Sequence, residues 1–492
     1  MFSMLYIYTT FLSSFQQQQS HKPPSPWTPP AIPIQNNIAQ PIIKPVNHNQ
    51  QEKFLAYLPH SGLSNQRIEL ENALVMAAVL NRTLVLPPAF LGNVIGWSAH
   101  GRLTKVLTWL TTPKDFDHIC PLTYDPNKLA SFVKSSKCQA FHQIGTIPWT
   151  ELHDLDSLKP LLRYHSVPTV GLDAIMQELQ LTSQDQVYLH QDTVRYDWRL
   201  FEDPQVRNEL VQQQTHFVKG PYGRREYYRV VDWSHWQERQ EPLLYLGSVF
   251  GSSRLNLNDT QHIALQRQIK RALIYRLDTP LGKTVQSIVR DYFGGDYLGI
   301  HFRTADRIFG NVLANQIEAS HTQVENALAA MPKVPSSSFC QLAPQDSYMD
   351  KGDDDDDDDD DDDEKKRRRR SIVQQQRRDS DDDDDDDDQR SNVNIYMATD
   401  YRHPRQPGGI FDSWLQRHPC TLTLEDIPSH YFDPLDKVYD MVHPSKPLKS
   451  FLMPLVDAMI AAQAKYVFLT PKSTFSKYIG ELHEAWRHHP TS

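Results

Sequence analysis

The chain has 492 residues, of which 39% are hydrophobic and 10% aromatic, enough for two or three ordinary domains and enough to exclude wholesale disorder. The formal charge of −10 misleads, because residues 351–390 hold 21 acidic and 10 basic side chains and leave 41 basic against 40 acidic elsewhere. Outside that stretch the chain is nearly neutral, which gives no charge argument for a nucleic-acid partner.

Residues 1–15 are apolar and aromatic but too short for the roughly 20 residues of a membrane span, and they lack the basic start of a signal peptide. They read as a signal or anchor remnant, with an ordinary floppy terminus as the alternative. Residues 16–52 are rich in Gln, Pro, Asn and His and read as a stem, since this composition builds no core. Phe54–Leu58 then predicts a strand, Gln66–Leu80 a helix with Asn65 as a plausible N-cap, and Thr83–Leu86 a second strand stopped by Pro87 and Pro88. Strand, helix and strand at this spacing form a βαβ unit, which implies a parallel sheet. The stretch from about 90 to 240 is rich in Trp, Tyr and Pro, and its elements cannot be ordered from pattern alone.

A second α/β block follows. Tyr297–Phe302 and Val393–Met397 predict strands, Leu455–Gln463 a helix beginning after Pro454, Tyr466–Leu469 a strand and Phe475–Trp486 a closing helix. Between them, residues 349–392 carry the pure Asp runs Asp353–Asp363 and Asp381–Asp388 around the basic cluster Lys365–Arg370. Like charges repel and no core is possible, so this insert is expected to be a disordered surface expansion whose basic cluster is a solvated charge run.

Four cysteines, Cys120, Cys138, Cys340 and Cys420, contain no CxxC pair, which argues against structural zinc. Two disulfides in any of three pairings, or four buried thiols, remain open. The sequons Asn81-Arg-Thr83 and Asn258-Asp-Thr260 weakly favour a secretory route. Asp154-Leu-Asp156 is the ordered Asp-x-Asp and reads as incidental, so no metal site is expected.

Three segments offer chemistry. The strand Leu298–Phe302 delivers His301, Arg303 and Asp306 to its carboxyl end, where ligands of open α/β sheets bind. An arginine there suits a diphosphate through paired charge-assisted hydrogen bonds; Asp306 would orient the guanidinium, and a purely structural Arg–Asp pair is the competing reading. Ser61-Gly-Leu-Ser-Asn-Gln66 turns from a strand into a helix and offers backbone N–H groups and the Asn65 amide. Ser473-Thr474-Phe475-Ser476 does the same, with hydroxyls suited to a phosphate or to simple capping.

The order of these segments resembles the GDP-fucose protein O-fucosyltransferases. FLAYLPHSGLSNQRIELENALVMAAVLNRTLVLPP is similar to their Gly-x-x-Asn-Gln unit, HFRTAD to their His-x-Arg-x-x-Asp motif, NIYMATD to a strand ending in Ala-Thr-Asp, and VDAMIAAQAKYVFLTPKSTFSKYI to their C-terminal block. The resemblance covers about 53–110 and 285–480. It implies a GT-B-like α/β fold: an acceptor-side Rossmann-like lobe at 53–240, a GDP-sugar lobe at 241–492, and a cleft between parallel sheets. It also implies an inverting transfer of fucose from GDP-fucose to a protein or glycan hydroxyl, with no cofactor and no metal, in the Golgi or ER lumen, on a chain that is a candidate for type II anchoring. By position, Arg303 would meet the β-phosphate, His301 and Asp457 the guanine, and Ser473, Thr474 and Phe475 the phosphates and nucleotide. Asn65 would approach the sugar or acceptor. The turn Pro59–Gln66 contains no carboxylate, so Glu69 on the helix beyond it is the candidate base. Another GDP-sugar, or a non-catalytic binder of glycans or clients on the same fold, are the alternatives.

Overall fold

The computed structural model describes residues 52–112, 141–212, 217–220, 223–304, 307–310, 312–331 and 393–488. The expected leader, most of the stem, the acidic insert and Asp306, Cys120, Cys138 and Cys340 lie outside these residues.

The predicted βαβ unit is present as β1 (Phe54–Ala56), α1 (Leu63–Val79) and β2 (Thr83–Leu86). Helix α1 starts three residues earlier than the pattern predicts. Gly62 occupies its N-cap with no side-chain cap, and Asn65 lies inside the first turn rather than capping it. From the part of the chain that pattern could not order come β3 (Tyr164–Ser166) and β4 (Val187–His190), and just beyond it β5 (Leu243–Leu246). Together they make a parallel five-stranded sheet in the order β3-β2-β1-β5-β4. The strands β2 and β5, on either side of β1, are buried along their whole length, as their apolar runs require in a sheet covered on both faces. Because β5 is in this sheet and helix α2 (Thr260–Ala272) packs on α1, the division expected at 240/241 does not fall between the sheets.

The second sheet comprises β6 (Leu298–Phe302), β7 (Ile395–Thr399), β8 (Thr421–Leu422) and β9 (Tyr466–Leu469), parallel throughout, in the order β8-β7-β6-β9. Helix α3 (Lys449–Gln463) carries Pro454 within its early turns instead of starting after it. It lies so close to β6 that a Cβ on Gly299 would stand 2.4 Å from the Ala461 carbonyl oxygen. Helix α4 (Thr474–His488) closes the block. In the second sheet the strand order reverses once, between β6 and β9; in the first it reverses between β1 and β5 and turns again from β5 to β4, and the carboxyl ends at such a reversal open a crevice. This is the expected α/β arrangement of two parallel sheets.

Several contacts join the blocks. The buried Arg67 of α1 places its guanidinium 3.9 Å from the centre of the Tyr478 ring of α4 and pairs with Glu481. Asp440 accepts a 2.7 Å hydrogen bond from the Thr146 N–H, and the Lys446 ammonium donates to the carbonyls of Phe141 and Ile144. Among the described residues, no helix is long and apolar enough to cross a membrane. Cys420 is disulfide-bonded, which removes the free-thiol reading for that residue.

Candidate active site

The reversal between β6 and β9 gathers most of the predicted donor residues. Arg303 follows β6 directly. Its backbone N–H donates to Thr470 Oγ1 at 2.9 Å, and that hydroxyl donates to the His301 carbonyl at 2.8 Å. The end of β6 is thereby stitched to the end of β9. The Arg303 guanidinium lies 2.7 Å from an Asp400 carboxylate oxygen, with the two side chains 29% and 22% exposed. The other Asp400 oxygen accepts from the Thr304 N–H and hydroxyl at 2.6 and 2.9 Å. Asp400, directly after β7, thus supplies an orienting carboxylate, while Asp306, expected in that role, lies outside the described residues. An arginine braced in this way and still partly exposed is placed to meet an anion.

His301 is buried on β6. Its Nδ1 is 2.7 Å from Ser476 Oγ, and its ring centre is 5.4 Å from that of Phe475. Burial, with Arg303 nearby, lowers its pKa to about 4 and keeps it neutral. Ser473 is the N-cap of α4: its Oγ accepts from the Ser476 N–H at 3.1 Å. The capping reading therefore holds for its side chain, while Thr474 and Phe475 form the first turn, where backbone N–H groups attract anions. Asp457 on α3 is 7% exposed. It accepts from the Tyr396 hydroxyl at 2.5 Å and the Thr399 N–H at 3.1 Å. Burial raises its pKa to about 7 against those hydrogen bonds. It does not face solvent.

Asn65 and Glu69 belong to the other reversal, between β1 and β5. Asn65 is half-buried with no hydrogen-bond partner on its Oδ1. Glu69 is fully buried; its Oε2 accepts from the His60 N–H at 3.0 Å, and its Oε1 is 3.1 Å from His60 Nε2. A carboxylate this enclosed does not itself meet an acceptor, which corrects the expectation that it serves directly as base. The sequence analysis gave no role to His60 or Thr470 and reached Asp400 only as the last residue of the Ala-Thr-Asp strand. For His60 and Thr470 the signal available was position alone, since both follow strands beside a reversal. Asp156 of the Asp-x-Asp pair accepts from Tyr164 and pairs with Lys159, a structural arrangement.

No protein-family model matches the chain. A stretch of 37 residues is 65% identical to O-fucosyltransferase 30 of Arabidopsis thaliana, spanning 8% of this chain and 7% of that protein. The chain resembles the O-fucosyltransferases. Among solved structures, POFUT1 in complex with GDP is similar at 10% identity and a TM-score of 0.34, over 88% of this chain and 95% of that one. POFUT1 with GDP-fucose is similar at 11% identity and a TM-score of 0.30, over 86% and 98%. The fucosyltransferase NodZ from Bradyrhizobium is similar at 11% identity and a TM-score of 0.32, over 88% and 92%.

Proposed function

We propose that this protein is an inverting glycosyltransferase that moves fucose from GDP-fucose to a hydroxyl of a protein or glycan. The observation that carries the reading is Arg303, braced by Asp400 and Thr470 at a strand-order reversal beside the first turn of α4. Departure of GDP builds negative charge on the β-phosphate, and a fixed guanidinium with adjoining backbone N–H groups stabilises that charge without reorganising. The short stretch of high identity to a named O-fucosyltransferase supports fucose as the sugar. His301, Asp457 and Phe475 are read as nucleotide neighbours, Ser473 and Thr474 as the phosphate turn, and Asn65 as the group nearest the sugar or acceptor. No metal or cofactor is required by this chemistry. The secretory lumen, with the N-terminus as an anchor, is the compartment this reading implies.

The test is direct. GDP should raise the melting temperature of the wild-type protein, and GDP-fucose should be consumed in preference to other GDP- and UDP-sugars. Arg303→Ala should melt at the wild-type temperature, lose the GDP shift, and lose transfer by at least about a hundredfold. Full transfer by that variant would end the role. A GDP-mannose preference would reassign the donor, and stabilisation by glycans but not by GDP would favour a binding protein.

A further inference from the structure

The Asp400 carboxylate beside Arg303 is engaged by that guanidinium and by Thr304, and the first lobe holds a second set of groups able to take the proton that an attacking hydroxyl must lose. At the end of β1 the chain turns through His60, Ser61 and Gly62 into α1. Ser61 sits at φ 71, a left-handed conformation that L-residues with a Cβ rarely adopt. It is held there from both sides: its N–H donates to the Ile95 carbonyl at 2.6 Å, and its own carbonyl accepts from Gln66 Nε2 at 3.1 Å. Such strain persists only where the surroundings over-determine it, and it concentrates at functional sites. The constraint aims a half-buried hydroxyl at a ring nitrogen, with Ser61 Oγ 2.8 Å from His60 Nδ1.

The His60 ring is 1% exposed and fixed on every side. Nε2 is 2.6 Å from Ser248 Oγ at the end of β5, and the Phe250 ring stands edge-on at 5.4 Å. Glu69 closes the back of the ring. Its Oε1, 3.1 Å from Nε2, makes no aligned hydrogen bond and is buried. A buried carboxylate oxygen without a donor, set against an imidazole, is arranged for charge that forms on that imidazole. The turn also lies toward the second lobe. Arg67 of α1 meets Tyr478 and Glu481 of α4. Arg67 and Tyr478 each follow the first residue of their helix by about 6 Å of rise, so the Ser61 turn and the Ser473 turn lead to one region.

We propose that Ser61, His60 and Glu69 form a proton relay for the acceptor hydroxyl, an assignment that rests on the glycosyl-transfer reading. The acceptor oxygen bonds to C1 of the sugar as the bond from C1 to the β-phosphate oxygen breaks and its electron pair leaves on GDP. The acceptor proton passes to Ser61 Oγ while the proton of Ser61 passes to His60 Nδ1. Neutral His60 keeps its other proton on Nε2, toward Ser248. The imidazolium then lies against the Glu69 carboxylate until the proton returns to water through Ser61. Ser61 is the catalytic group, and His60 and Glu69 act through it. Burial, with Arg254 and Arg195 facing the ring, lowers the His60 pKa to about 3 and keeps the imidazole neutral before reaction. Glu69 is faced by His60, Tyr57, Asp192 and Arg254, and burial raises its pKa, so its ionised form gains with rising pH above the usual carboxylate range.

The experiment follows release of GDP from GDP-fucose, with water as the acceptor, against pH. The wild type should show an ascending limb. Ser61→Gly should lower the rate by about a hundredfold, while the melting temperature holds or rises by about 2 °C, because glycine relieves the positive φ. A merely structural serine would not separate the two readouts in that direction. Ser61→Ala should lose the same rate, and Glu69→Gln should flatten the limb; if Glu69→Gln fails to fold, the two Ser61 variants decide. Wild-type rates and an unchanged pH profile in both Ser61 variants would overturn the relay alone. A wild-type protein that releases no GDP from GDP-fucose would overturn the transfer reading, and the relay with it.

Discussion

Asp457 shows how one buried side chain makes stability depend on pH. Its carboxyl is raised to about 7 in the folded protein, chiefly by burial, whereas it would titrate near 4 unfolded. Below about pH 4 both states are protonated and nothing is lost. Between pH 4 and 7 the unfolded state ionises and the folded state does not, so stability falls as pH rises, by a few kcal/mol in all. Asp457→Asn should flatten that decline in a melting-temperature series across pH 4 to 8, since the amide oxygen can still accept from Thr399 or Tyr396. An equal slope in both proteins would show that another group titrates. The sequence made Asp457 a candidate by resemblance, but burial could not be read there, because its partners Tyr396 and Thr399 lie some sixty positions away. The same holds for Glu69. Spacing located it on the helix, while its enclosure depends on residues brought in by β1, β4 and β5.

Elements were legible where an apolar run coincided with its period. Thr83–Leu86 and Tyr466–Leu469 are strands with the predicted bounds, and β6 and β7 are displaced by one or two residues. The helix starts were misjudged for a physical reason. Gly62 begins α1 without any capping side chain, and Pro454 is tolerated inside α3, so neither supplied the local signal that usually marks a helix end. Gly299 tells a related story. Nothing in the run LGIHF distinguishes it, but it is the point at which α3 lies directly on β6. Gly299→Ala would drive a Cβ into the Ala461 carbonyl, and overpacking of this kind costs about 1–3 kcal/mol. The variant should unfold at lower denaturant with an unchanged slope, and equal midpoints would mean that the helix can shift at no cost.

At the scale of the whole molecule, two parallel sheets followed from two strand–helix blocks, but the strand orders and the boundary between lobes did not. Those depend on pairings such as Phe54 with Leu243 and Leu298 with Tyr466, which no local pattern encodes. The acidic insert belongs to this scale too. Residues 351–390, with 21 acidic against 10 basic side chains, account for the whole of the net negative charge and none of the groups assigned to the site. Deleting them should leave the melting temperature and the GDP response within about 2 °C of wild type, and loss of folded protein would give the insert a structural duty. The long-range pairings bear on how the chain is made. On a ribosome extending at about 5–20 residues per second, β1 waits for β5, and β6 waits for β9. Helix α4 follows β9, and its Tyr478 and Glu481 complete the contact with Arg67. A chain cut before α4 would lack the helix that packs on β9 and would leave the first lobe's Arg67 buried without those partners. Until α4 has been made, the nascent chain is thus exposed to chaperones and aggregation, and that helix decides whether the two blocks close.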